Sequence, residues 1–210
     1  MKQIKFLLLA LLSCVALVAH ADPKLGVEYS VVSQPQPPAD PKKIEVTEVF
    51  SYACPHCAHL EPEIAKWSKT LPKDAVLVRL HAATNPTWAA LAKLFYALES
   101  LGEIERLNGD AFNAFHGKDL KLQEEKVATE WASKMGIDAK KFTDAYNSFG
   151  VQSKIARSKQ LTGAYGINGV PTIVVGGKYQ TSASQAGSHE AALKVTDYLI
   201  TLVRHERGGK

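Results

Sequence analysis

Cys54-Pro55-His56-Cys57 constrains this chain more than any other stretch. Two thiols three residues apart can close a disulfide with each other, and on the first turn of a helix that disulfide is reactive rather than structural. The chain has three cysteines, and the third, Cys14, falls within an apolar N-terminal run. The residues around the pair are therefore read for a helix N-terminus, a proton acceptor and a substrate surface.

Lys2 and Lys5 precede the apolar stretch Phe6 to Val18, and Ala19-His20-Ala21 follows it. A basic start, a short apolar core and an A-x-A site together mark a secretory signal peptide over residues 1–21. The run is shorter than the roughly 20 residues that span a bilayer, which argues against an uncleaved anchor. Net charge is +4 from 25 basic and 21 acidic side chains, and loss of Lys2 and Lys5 brings it to +2. That balance suggests neither a nucleic-acid nor an acidic-membrane partner. Export to an oxidising compartment permits disulfides, yet a structural framework in a small secreted fold uses more than two cysteines. A bridge closing so small a loop also removes little entropy from the unfolded chain, so chemistry explains the pair better than stapling.

Hydrophobic spacing orders the rest of the chain. Glu28 to Val32 reads as a short strand, broken by the stiff connector Gln34-Pro35-Gln36-Pro37-Pro38. Ile44 to Ser51 reads as a strand leading into the cysteines. A helix follows to about Lys69, with Leu60, Ile64 and Trp67 on one face and Pro62 predicted to kink it. Ala75 to His81 reads as a third strand. From Asn85-Pro86 the pattern is helical, with three faces marked by Trp88, Leu91, Phe95 and Leu98, by Val127, Trp131 and Met135, and by Phe142, Tyr146 and Phe149. Strand character returns at Val170 to Val175, Gly176-Gly177 suits a hairpin turn, and Lys178 to Thr181 supplies the return strand. Ser188 is placed to cap a last helix carrying Leu193, Leu199, Ile200 and Val203. The expected class is α/β, divided into residues 22–83, a helical block 84–159, and residues 160–210.

A strand-to-helix reading puts Cys54 at a helix N-terminus, where unpaired N–H groups and the helix dipole favour a thiolate by roughly 0.3–2 kcal/mol. Pro55 costs no needed donor at the first helical position. His56 stabilises a thiolate by hydrogen bonding or by positive charge, and Cys57, one turn in, suits the resolving role. A c-type haem site requires His directly after the second cysteine, where Ala58 stands. Structural zinc requires about four ligands, and no second pair follows Cys54, Cys57 and one of His56 or His59 at a usual spacing. Redox catalysis is the leading reading. Glu48 continues the strand face of Ile44 and Val46 with Phe50; its carboxylate either lies buried, with a raised pKa suited to proton transfer with Cys57, or sits at a solvated sheet edge. A trans Pro171 opening a strand is the ordinary expectation from sequence. His59 and His81 read as surface or internally satisfied side chains, not catalytic groups.

The motif Cys54-Pro55-His56-Cys57, preceded by Glu48-Val49-Phe50-Ser51-Tyr52-Ala53 and joined by Val170-Pro171-Thr172, resembles the DsbA family of periplasmic thiol:disulfide oxidoreductases, across essentially the whole mature chain. The resemblance implies a thioredoxin fold, a central mixed sheet flanked by helices, with an inserted all-helical subdomain. It implies that Cys54, Cys57, His56, Pro55 and Glu48 are catalytic, with Glu48 the family's buried acid, and that Arg79 lies near a basic position beside the site. It further implies a cis Val170–Pro171 bond, with Val170 and Pro171 contacting the substrate backbone. The implied activity is donation of the Cys54–Cys57 disulfide to newly exported proteins with free cysteines, by a periplasmic monomer that a DsbB-like quinone-linked membrane oxidase reoxidises. No metal or organic cofactor is implied. A disulfide isomerase or reductase on the same fold, or a thiol-based metal or peptide chaperone, is the alternative.

Overall fold

The computed structural model describes residues 22–208; Cys14 and the expected signal peptide over residues 1–21 lie outside the described residues. Within that range the elements are β1 (Ser30–Val31), β2 (Ile44–Phe50), α1 (Pro55–Ser68), β3 (Ala75–His81), α2 (Pro86–Ser100), α3 (Ile104–His116), α4 (Glu125–Lys134), α5 (Ala139–Tyr146), α6 (Phe149–Tyr165), β4 (Thr172–Val175), β5 (Tyr179–Thr181), α7 (Ala183–Ala186) and α8 (His189–Glu206).

The strands form one mixed sheet in the order β1-β5-β4-β2-β3. β2 runs parallel to β3 and antiparallel to β4, and it is buried on both faces. A strand of this kind must be apolar on both sides, and Ile44, Val46 and Val49 fill that demand. Ile44 and Val46 pack with Leu60 and Ile64 of α1 and Leu199 and Val203 of α8. Val49 faces the other way, with Val174, Leu80 and Tyr165 of α6. Burial of each large aliphatic side chain contributes about 1.5–3 kcal/mol. The β4–β5 hairpin turns through the three residues Gly176, Gly177 and Lys178, and both glycines take positive φ (61° and 66°), a conformation that favours glycine. A Cβ on Gly177 would also strike the Gln36 carbonyl, whose own N–H donates to the Gly177 carbonyl at 3.0 Å. The proline-rich connector is thereby fastened to the hairpin.

The helices between β3 and β4 share a separate core, joined to the sheet end by edge-on aromatic contacts of Phe50 with Tyr52 and Phe95 and of Tyr52 with Phe112. Five helices occupy this region where three faces were expected. The additional ones are α3 and α6, and α6 runs through residues 159 and 160. Phe149 does not share a face with Phe142 and Tyr146; it begins α6, capped by Ser148, and is 86% exposed. β4 begins at Thr172, after the proline. Among the described residues no helix is long and apolar enough to cross a membrane.

Candidate active site

The carboxyl end of β2 delivers the chain into α1, with Cys54 as its N-cap and Pro55 at the first helical position. Cys54 is in extended backbone, and its Sγ accepts a hydrogen bond from the Cys57 N–H at 3.4 Å. Cys57, Leu60, Glu61 and Ile64 form the buried face of α1. Cys57 is therefore inaccessible, whereas Cys54 keeps 7% of its surface and His56 is exposed. Both cysteines are free thiols in this structure. The Cys57 thiol bonding to Cys54, together with the N–H groups of Cys57 and His56 and the His56 charge, lowers the Cys54 pKa to about 6 against a smaller opposing effect of burial. Burial first, and then the same sulfur–sulfur hydrogen bond, pushes Cys57 up. The two thiols thus have divided roles: one is a ready thiolate, the other holds its proton.

Glu48 is fully buried. Burial, opposed by Arg79 and assisted by Glu61, raises its pKa to about 8. The Arg79 Nε lies 3.3 Å from Glu48 Oε2, but neither carboxylate oxygen has an aligned hydrogen bond. Arg79 also reaches Glu61 at 3.3 Å, and Glu105 of α3 at 3.8 Å. Burial raises Glu61 as well, and the three carboxylates outweigh burial on Arg79 and keep it charged. When Glu48 is ionised, its charge is the smallest of the causes that raise Cys57.

The Val170–Pro171 bond is cis, and the Val170 carbonyl accepts from the Cys54 thiol at 3.3 Å. Two segments 116 residues apart in sequence therefore meet at the reacting sulfur. His59 is exposed, and His81 is buried and satisfied: its Nε2 accepts from the Tyr52 N–H at 3.0 Å, its Nδ1 lies 2.8 Å from the Ala82 carbonyl, and burial lowers its pKa to about 3.

Sequence reasoning missed four side chains that shape this site. Glu61 stands four residues after Cys57, so helical spacing puts both on one face; a carboxylate in a helix is ordinarily solvated, which hid it. Tyr52, two residues before Cys54, donates its hydroxyl to Asn108 Oδ1 at 2.7 Å, and its carbonyl accepts from His116 Nε2 at 2.7 Å. Asn108 and His116 both lie on α3, and no local signal ties them to the motif. Among the described residues no group of three or more His, Cys, Asp or Glu is placed to hold a metal.

A sheet of this order, a helix opened by a reactive thiol over a buried one, and a cis-proline against the sulfur define a thioredoxin-fold thiol:disulfide oxidoreductase. A family model described as a DSBA-like thioredoxin domain matches residues 75–193, and the thiol:disulfide interchange protein DsbA of Pseudomonas aeruginosa (strain PAO1) is 40% identical over 92% of each chain. The chain belongs to the DsbA family. DsbA of Bordetella parapertussis is likewise 40% identical, over 95% of this chain and 96% of that one. The crystal structure of Pseudomonas aeruginosa DsbA matches with a TM-score of 0.85 at 39% identity, covering 89% of this chain and 97% of that one. The oxidoreductase NmDsbA1 of Neisseria meningitidis matches at 0.78 with 33% identity, covering 88% and 95%.

Proposed function

We propose that this oxidoreductase works as a net donor of the Cys54–Cys57 disulfide, with Cys54 as the sulfur that substrates meet. The observation that carries the reading is the division between the two thiols, a Cys54 stabilised as thiolate above a buried Cys57. Stabilising the thiolate stabilises the reduced enzyme and makes its disulfide easy to reduce, a relation for which DsbA enzymes are themselves the usual illustration.

A substrate thiolate attacks Cys54 Sγ of the disulfide. The Cys54–Cys57 bond breaks, a substrate–Cys54 disulfide forms, and Cys57 leaves with the electron pair. Glu48, protonated near neutral pH, supplies the proton that Cys57 takes up, and Arg79 and Glu61 hold it in place. A second substrate thiolate then attacks the substrate sulfur and releases Cys54 as thiolate. The substrate is oxidised by two electrons and the enzyme reduced by two. Pro55 and His56 set the helix start and its charge, and the Val170 backbone beside Pro171 lines up the extended substrate chain.

The substrates are newly exported proteins with free cysteines, and reoxidation falls to a DsbB-like quinone-linked membrane oxidase. The enzyme acts in the periplasm as a monomer after loss of residues 1–21, with residues 84–159 a helical subdomain inserted between 22–83 and 160–210. The redox-active disulfide is its own cofactor. The test is the potential of the Cys54–Cys57 couple in glutathione buffers. A value more oxidising than about −180 mV supports a donor, and one near about −270 mV, as in thioredoxin, overturns it in favour of a reductant.

A further inference from the structure

Tyr52 is fully buried, main chain included, and two histidines from different elements close over its peptide groups. On one side its N–H donates to His81 Nε2 at 3.0 Å; on the other its carbonyl accepts from His116 Nε2 at 2.7 Å. A carbonyl can only accept, so His116 Nε2 carries a proton whether the ring is neutral or charged. His116 reaches the loop from the last turn of α3, with its ring stacked on Phe112 at 6.5 Å and edge-on to Phe115 at 5.1 Å. The residue is otherwise exposed. An exposed side chain adds little to the core, so its short bond to a buried carbonyl calls for another explanation.

Ser51 to Cys54 form a turn closed by the Cys54 N–H on the Ser51 carbonyl at 3.0 Å. The middle peptide of such a turn joins Tyr52 to Ala53, and it is the one that rotates between turn types while the ends stay in place. Here it is pinned at both of its polar atoms. His116 holds the carbonyl, and Ser51 Oγ accepts from the Ala53 N–H at 3.2 Å. A water on the carbonyl would satisfy it but would follow it as it turned; a ring anchored on α3 does not. Immediately after this peptide, Cys54 takes φ −92° and ψ 115°, which brings its Sγ to the Cys57 N–H. We propose that His116 is a positioning residue for disulfide exchange: by fixing the peptide ahead of Cys54, it keeps the sulfur on the N-terminus of α1, where a thiolate is stabilised. The inference rests on Cys54 being the sulfur that leaves as thiolate.

The test compares reduced wild-type enzyme with His116→Phe, which keeps the ring without an N–H, and with His116→Gln, which offers an amide N–H in the direction of Nε2 but no ring charge. The readouts are thiolate absorbance near 240 nm against pH and the equilibrium with glutathione at pH 8. In His116→Phe the Cys54 midpoint is expected to rise by about half a pH unit and the enzyme to become about threefold less oxidising. His116→Gln is expected to restore both. A merely structural contact moves the unfolding temperature and leaves both readouts where they were. Ser51→Ala frees the other end of the same peptide and is expected to raise the midpoint too, which gives a second reading should His116→Phe fold poorly. An unchanged midpoint in His116→Phe overturns the inference. An equal rise in His116→Phe and His116→Gln overturns it as well, because it assigns the effect to ring charge. A wild-type midpoint near 9.0, the ordinary thiol value, fails the functional reading itself; one near 6 that His116→Phe leaves in place fails only this inference.

Discussion

Glu48 and Arg79 are register partners on the parallel strands β2 and β3, and their side chains meet at 3.3 Å without an aligned hydrogen bond. The guanidinium is shared among Glu48, Glu61 and Glu105, so it favours the charged form of Glu48 only in part. Burial wins at Glu48, because desolvation of a fully enclosed carboxylate exceeds the attraction of one misaligned cation. Near neutral pH the pair therefore holds a charged arginine and a protonated acid, which is the state a proton donor to Cys57 requires.

That balance makes stability depend on pH in a definite direction. Glu48 titrates at about 8 in the folded chain against an ordinary value of 4.5. Its contribution is intact below about pH 4.5 and is lost as pH rises through 8, where the folded protein must carry a buried charge. Glu48→Gln carries no such charge. Urea denaturation of reduced protein is expected to show the variant equal to wild type near pH 5 and more stable near pH 8, by on the order of 3–4 kcal/mol. A variant less stable at both values contradicts the assignment of burial as the dominant cause.

The same substitution separates proton transfer from substrate binding. Loss of a positioned acid lowers the rate of the step it serves by roughly 10²-fold or more. Stopped-flow reduction of the oxidised Glu48→Gln enzyme by a dithiol peptide is expected to slow by about that factor, while alkylation of Cys54 in the reduced enzyme keeps its wild-type rate. Unchanged reduction kinetics remove Glu48 from the mechanism.

What was legible in the sequence follows from how local each signal is. β3 lies where Ala75 to His81 predicted it, and β2 ends one residue before the expected Ser51, because runs of β-branched and aliphatic residues bounded by turn formers are written within a few positions. The helix start at Cys54-Pro55 was readable for the same reason, with β2 in front of it and Pro55 at its first position. α6 was not, since Ser158 and Thr162 stand on its buried face beside Val151, Ile155 and Tyr165. α3 escaped too: its core face relies on Ala111 and Ala114 as well as Leu107 and Phe112, with Gly109 interrupting the pattern. The partners of Tyr52 were illegible in principle, because the bonds to Asn108 and His116 join positions 56 and 64 residues apart.

Tyr52 links the helical block to the active-site loop. Its ring is enclosed by Phe50, Phe95 and Phe112, and its hydroxyl bonds to Asn108 at 2.7 Å. Tyr52→Phe keeps the ring packing and leaves the buried Asn108 Oδ1 without its partner, beside an Asn108 Nδ2 that already has none. The expected loss is about 1–3 kcal/mol of unfolding free energy, read from chemical denaturation. A neutral substitution shows that water reaches Asn108.

Cys54 titrates at about 6 in the folded reduced protein, against an ordinary thiol value of 9.0. Its folded pKa is depressed, so the stabilisation it gives the reduced form is fully present above pH 9 and disappears as pH falls through 6. The disulfide form has no such thiol, and Glu48 is buried in both, so its titration largely cancels in the comparison. The stability of the reduced protein relative to the oxidised one is therefore expected to rise steadily from pH 6 to 9 and to level off below 6. Thermal unfolding of the two forms at pH 5, 7 and 9 measures the gap, and thiolate absorbance near 240 nm gives the midpoint independently. Replacing the neighbouring cation, as in His56→Leu, removes one of the causes that lower Cys54 and leaves those from the Cys57 thiol and N–H. The absorbance midpoint is expected to rise by about half to one pH unit. A midpoint near 9 in the wild-type enzyme, with no pH dependence of the gap, refutes thiolate stabilisation at the α1 N-terminus as the source of oxidising power.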